Sequence, residues 1–256
     1  MSLRRGFDSR HPLKVLAYAR LKVLLAQVMT EFSTSDWDGY WNKGDSRYER
    51  IYDSIAKFYR TVIIDRAVHR VGRYYFDDRS HILHAGCGSG ATDVPLAARV
   101  RMTGLDLSRE ALLLYRRFHP GNASQIQGDL NAMPIRDGSF DGLLSIGVVE
   151  HFEAKELPSV FREHARVVRD GGYLILLWPP EWGLSVRVLA TAELVATKLL
   201  RRSVRLHPPE PTLYRSKTQL LGFLQGTGLS LVSSTFGWRD LFTHQFVILI
   251  KDRSLN

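Results

Sequence analysis

The chain is 256 residues long, carries one cysteine and has a formal net charge of +9. Hydrophobic residues at 45% and charged ones at 24% fit a soluble globular protein long enough to bury a core, which excludes a disordered or fibrous chain. The lone Cys87 excludes an internal disulfide, no run reaches the roughly eighteen uncharged apolar residues of a spanning helix, and the basic excess asks for an acidic partner or surface.

Residues 13–29 place Leu13, Leu16, Ala17, Leu21, Leu24, Leu25 and Val28 at helical spacing beside Arg4, Arg5, Arg10, Lys14, Arg20 and Lys22. Lys14, Arg20 and Lys22 interrupt the apolar run and no cleavage pattern follows, so no secretory leader is read and a reducing cytoplasm is expected. The aromatic-dense WDGYWN at 37–42 follows, then a second helical pattern through Ile51, Ile55, Phe58, Tyr59, Val62 and Ile63. Residues 1–80 are expected to form a helical cap.

From Ile82 onward, short apolar runs alternate with helical patterns. Strands are predicted at Ile82–Leu83, Arg101–Leu105, Ser124–Gln127, Phe140–Ile146 and Tyr173–Trp178. Helices are predicted after Gly90, after the N-cap Ser108 and over Leu157–Val168, the last leaving through Gly171–Gly172. That alternation implies a parallel, doubly wound sheet with right-handed crossovers. Pro179 and Pro180 stop the fifth strand. A helix at about 184–202, flanked by Arg187, Lys198, Arg201, Arg202 and Arg205, and the HPPEP at 207–211 make residues 179–215 a candidate lid insertion. A helix through Leu220, Leu221 and Phe223 and two strands, Leu229–Thr235 and Phe246–Lys251, close the chain.

Four glycine-punctuated segments keep a fixed order across 81–178: HAGCGSG at 84–90, TGLDLS at 103–108, GDLNAMPIRDGSFD at 128–141 and VVRDGGYLILLW at 167–178. Gly86, Gly88 and Gly90 let backbone approach a ligand closely, and Asp106 ends a strand twenty residues after Gly86. This is the nucleotide-site arrangement of a doubly wound sheet. The stretch resembles the cofactor core of the class I S-adenosylmethionine-dependent methyltransferases, in particular the broad small-molecule group with a GCGSG-type first motif.

The resemblance implies an α/β fold with a seven-stranded, mostly parallel Rossmann-like sheet, N-terminal helices and a helical insertion after strand five, with residues 81–256 as the cofactor-binding domain. S-adenosylmethionine is the implied cofactor and S-adenosylhomocysteine its product. Asp106 would accept from the ribose hydroxyls, Leu107 would pack on adenine, Asp129 would accept from the adenine amino group and Leu130 would supply backbone. Ser145 and Gly147 would flank the sulfonium and methyl, and Trp41, with Tyr40 beside it, would lie against the methionine half.

His84 departs from the pattern, because the family carries an acid there. Three readings stay open: a neutral acceptor of the methionine ammonium, which is preferred; Asp93 supplying the charge; or weak cofactor binding. SIGVVEHF keeps Glu150 and His151 but has Gly147 where metal-assisted relatives carry another glutamate, so no metal is expected. His151 is the candidate base after strand four, ahead of His207, Tyr214 and His244. WPPE at 178–181 follows strand five rather than strand four, which argues against base methylation and a nucleic-acid partner.

Trp182, Leu184, Val188, Leu189 and the N-terminal leucines are read as forming an apolar acceptor entrance beside Arg201 and Arg202, with Tyr214 a further acceptor-site candidate. The expected acceptor is a small molecule or lipid-linked group, and an anionic membrane surface is a candidate partner. The alternative is a fold relative without catalysis that serves as a binding or regulatory subunit, argued from His84 alone.

Overall fold

The computed structural model describes residues 33–42, 58–121, 123–200 and 208–253, without the side chains of 192–196 and 198–200. The helical reading at 13–29, the basic cluster around it, Ile51, Ile55, Arg201, Arg202, Arg205 and His207 lie outside the described residues. From Thr34 onward the chain forms one compact unit.

Helix α1 (Thr34–Trp41) comes first, then a π-helical turn (Tyr59–Ile64) that runs into α2 (Asp65–Tyr75). The alternating core follows as β1 (His81–Ala85), α3 (Val94–Ala97), β2 (Arg101–Asp106), α4 (Arg109–Phe118), β3 (Ala123–Gln127) and β4 (Phe140–Ile146). It continues through α5 (Leu157–Val167), β5 (Val168–Trp178), α6 (Leu184–Leu200), α7 (Lys217–Leu224), β6 (Leu229–Phe236) and β7 (Gln245–Lys251). The sheet order is β3-β2-β1-β4-β5-β7-β6. Strands β1 to β5 pair parallel, and β7 runs antiparallel between β5 and β6.

Alternation along the central strands decides the two layers. Leu83, Leu143, Leu174, Leu176, Val247 and Leu249 face one way and pack on Leu157 and Phe161 of α5 and Leu220 and Leu224 of α7. Ile82, Leu144, Ile175, Leu177 and Ile248 face the other way onto Ile64, Ala67 and Val68, with Leu96 of α3. Both faces are buried because crossover helices lie on each side.

Two local expectations change. Helix α5 ends at Val167, and Val168 already pairs with Phe140 as strand, so Gly171–Gly172 lies inside β5 and is not the helix exit. The pairing register shifts between Phe140 and Gly142, and a Cβ on Gly172 would come within 2.6 Å of the Asp141 carbonyl. Glycine there lets the strands close over that irregularity. The pattern across Tyr59–Ile63 takes π-helical form before becoming α-helical.

The C-terminal ends of β1, β2 and β4 come together where strand order reverses, at the β1/β4 junction. In open α/β sheets this crevice is where ligands bind.

Candidate functional site

The turn after β1 is tied to β2 by its backbone: Gly86 N and Cys87 N both donate to the Leu105 carbonyl, at 2.8 and 3.0 Å. Gly88 holds φ at +51°, a left-handed value that side chains rarely adopt, and a Cβ there would meet the Trp41 ring at 2.7 Å. Gly86 and Gly90 complete the turn, the latter beneath Tyr115 and His119.

Asp106, at the tip of β2, faces this turn. Its Oδ2 accepts from Gly88 N at 2.8 Å and its Oδ1 from Ser108 N at 2.9 Å. Burial pushes its carboxyl above the ordinary range, while those two N–H bonds and the charge of His84 pull it back. Each oxygen keeps further acceptor capacity, so the group can receive two more hydroxyl donors. Ser108 caps α4 by accepting from Ala111 N at 3.2 Å, and its hydroxyl donates to Asp38 of α1 at 2.5 Å.

His84 is 1% exposed, and its Nδ1 lies 2.7 Å from Asp93 Oδ2. Asp93 is fully buried and also meets His119 Nε2 at 2.8 Å and the Tyr115 hydroxyl at 3.4 Å. Burial alone would raise the Asp93 carboxyl, but the two imidazoles outweigh it and hold it low. Burial likewise works to lower His119, and the bond to Asp93 overcomes it so that its pKa is raised. His84 thus keeps Asp93 at its Nδ1, and Nε2 is the ring's other polar atom. Asp93, named in the second reading of His84, is the acid that stands beside it.

Helix α1 crosses the crevice. Trp37 and Trp41 lie four residues apart and share one helical face. Trp41 rests on Gly88, whereas Trp37 meets the His151 ring edge-on at 5.1 Å between centroids. Trp37 escaped the sequence reading, although its spacing from Trp41 was the available signal. Tyr40 packs against both tryptophans and accepts from Arg60 at 3.3 Å.

Near the end of β4, Ser145 Oγ is buried without a hydrogen-bond partner. Gly147 holds φ at +65° beside the Glu150 carboxylate. Burial, and then the charge of Glu210, drives the Glu150 carboxyl well upward. His151 donates from Nδ1 to the Pro209 carbonyl at 2.8 Å, and burial lowers its pKa to about 4. Residues 208–214 close this side: Thr212 N donates to the Glu150 carbonyl, Trp178 Nε1 to the Thr212 carbonyl and Tyr214 N to the Pro179 carbonyl. Only the HPPEP prolines hinted at this strap, since its bonds are non-local.

The remaining expected residues separate. Leu107 is half-buried, with its carbonyl accepting from Gln127. Asp129 is exposed and forms an Asx turn with Asn131, while the Leu130 side chain enters the core. Tyr214 is buried with its hydroxyl on Ser234, and Trp182 packs edge-on against Tyr214 and Phe236. These last two gather at the β5–β7–β6 end of the sheet. His244 is held by Asp240. Among the described residues no helix is long and apolar enough to cross a membrane.

Residues 83–176 match the family described as methyltransferase domain. The chain is 30% identical over 135 residues to the probable tRNA methyltransferase 9B of Mus musculus, covering 51% of this chain and 29% of that protein. It is 29% identical over 172 residues to norajmaline N-methyltransferase of Rauvolfia serpentina, covering 59% and 58%. Its fold is similar to magnesium protoporphyrin IX methyltransferase from Synechocystis PCC 6803, solved with bound SAH, with a TM-score of 0.54 at 17% identity over 84% of this chain and 92% of that one.

Proposed function

We infer, for a chain whose core belongs to the class I S-adenosylmethionine-dependent methyltransferases, that it transfers a methyl group from this cofactor to a small, apolar or lipid-linked acceptor. The observation that carries the reading is Asp106, set against the Gly86–Gly90 turn with acceptor capacity to spare, at the point where strand order reverses.

The residues fit this cofactor. Asp106 would take the two ribose hydroxyls, and the turn passes without a Cβ where the ligand must come close. Leu107 would cover the base and the rim at Asp129 and Leu130 its edge. Nε2 of His84 would accept from the methionine ammonium, with Trp41 against that half and Ser145 Oγ and Gly147 near the methyl. The buried, unpartnered Ser145 hydroxyl supports the assignment, since such a group ordinarily has a partner.

When bound, S-adenosylmethionine supplies an electrophilic methyl on a sulfonium that departs as a thioether. The chain's part is alignment and exclusion of water by Trp37, Trp41 and the 208–214 strap. His151 donates through Nδ1, so Nε2 holds the lone pair that takes the proton an O–H or N–H acceptor loses. Its pKa of about 4 keeps it unprotonated at neutral pH and makes it a weak base, suited to a proton that becomes acidic as the new bond forms.

The alternative of a relative without catalysis rested on His84, and Asp93 beside it supplies the charge whose loss was the argument. The relatives include a probable tRNA methyltransferase, so the test of acceptor class includes an RNA fraction. Incubation with methyl-labelled cofactor and cell extract is expected to label an organic-soluble small molecule. Label confined to RNA would overturn the acceptor reading, and no label in any fraction the transfer itself.

A further inference from the structure

The turn between β6 and β7 is built in an unusual way. Leu241 and Phe242 stand consecutively at φ +60° and +58°, a region that bulky side chains rarely occupy. The turn is pinned from within. Asp240, fully buried, accepts at Oδ2 from Thr243 Oγ1 at 2.8 Å and from His244 N at 2.6 Å, and its carbonyl accepts from Tyr59 at 3.1 Å. Strain held this firmly would ordinarily deliver apolar side chains into a core. Here it delivers them outward: Leu241 and Phe242 are each 49% exposed, and Trp238 in the preceding 3-10 turn is 70% exposed.

The exposed surface is continuous. Phe242 packs on Phe236, which packs on Trp182, and Leu184 N donates to the Phe242 carbonyl at 2.9 Å. Val188 lies one turn further along α6 on the face of Leu184, and both are exposed. The charges around it favour an anionic partner. Arg187 and Arg239 are exposed, Glu181 is paired with Arg215, and Asp240 is turned inward. Register fixes its place: Trp178 and Phe236 both stand opposite Gln245, so the patch lies on the same rim of the sheet as the C-terminal ends of β1, β2 and β4.

We propose that this rim, formed by Trp182, Leu184, Val188, Trp238, Leu241 and Phe242, docks the protein onto an anionic lipid surface. Tryptophan, phenylalanine and leucine with arginine at the margin are the side chains that enter the headgroup region and hold there. A polyanion alone would select for arginines without the apolar display, and an aqueous surface would not select for a strained one. Docking would set the crevice against the bilayer, where an amphiphilic acceptor is met. The proposal does not depend on methyl transfer, since vesicle binding requires no cofactor.

Sedimentation with vesicles of phosphatidylcholine containing about one third phosphatidylserine tests it on the full chain, with tryptophan emission recorded in parallel. Expected are co-sedimentation that weakens with salt and a blue shift of emission. The double variant Leu241→Asn, Phe242→Asn should bind at least about tenfold more weakly. Because asparagine tolerates left-handed backbone, its melting temperature should hold or rise. Trp238→Ser should also weaken binding while binding S-adenosylhomocysteine as the parent does.

No co-sedimentation, or co-sedimentation that the variants leave unchanged, would overturn the proposal. So would a variant that melts lower, which would make the turn a packing element, or a dimer dissolved by the variants without lipid binding. Retained S-adenosylhomocysteine binding in those cases would leave the cofactor reading standing.

Discussion

Asp93 sets the charge behind the glycine turn, and its neighbours give the site a pH dependence with a defined sign. His119, whose pKa is raised, contributes stability that is complete below its ordinary value of 6.5 and is lost as pH climbs through the folded value. Asp93, whose pKa is depressed, contributes stability above the ordinary carboxylate range that is lost on acidification. Between those limits His119, which meets Asp93 in a cluster bounded by His84, Tyr115 and Cys87, gains positive charge as pH falls. A ligand carrying an ammonium and a sulfonium should therefore bind more weakly at pH 6 than at pH 8. Titration calorimetry with S-adenosylmethionine checks this, and Asp93→Asn should weaken binding at both values.

His164 gives a second prediction at this scale. Its Nδ1 donates to the Val160 carbonyl at 2.6 Å, its Nε2 is buried without a partner, and burial lowers its pKa to about 4. The unfolded chain takes up a proton near pH 6.5 that the folded chain refuses, so stability falls as pH drops from there toward 4. The full effect is on the order of 3 kcal/mol. His164→Leu should flatten denaturant midpoints across that window, because Val160 remains bonded within α5.

Asp106 and the three glycines were legible because their spacing is local. The His84–Asp93 pairing was visible as one of three alternatives. The His119 contact was not, since it closes across α4.

At the level of elements, the β4–β5 crossing shows what sequence periodicity misses. A Cβ on Gly142 would stand 2.5 Å from the Phe76 ring and 2.8 Å from the Tyr173 carbonyl. The ring can turn but the carbonyl belongs to the paired strand, so Gly142→Ala should lower the melting temperature by roughly 5 °C. The early start of β5 and the π-helical turn before α2 were hidden for related reasons: both are set by packing partners far along the chain. Helix α1 was half legible. Its aromatic density marked Trp41, while the partnership of Trp37 with His151 needed the 208–214 strap to bring Pro209 into place.

For the molecule as a whole, the sheet class followed from alternating runs and the antiparallel closing pair from the last two strands. Those features rest on chain order and burial, which a sequence carries directly. Of the apolar rim, Trp182, Leu184 and Val188 stood out in the sequence, where they were read as an acceptor entrance. The contribution of Trp238, Leu241 and Phe242 comes from a strained turn whose backbone no composition reveals.

Methyl transfer by this chain requires a nucleoside sulfonium held between the turn at 86–90 and the carboxylate at 106. Calorimetric titration of S-adenosylhomocysteine into the parent chain and into Asp106→Ala tests this most directly. Saturable single-site binding by the parent, weakened at least about tenfold in the variant, is the predicted result. Equal affinity in both proteins, or no heat from the parent, would contradict it.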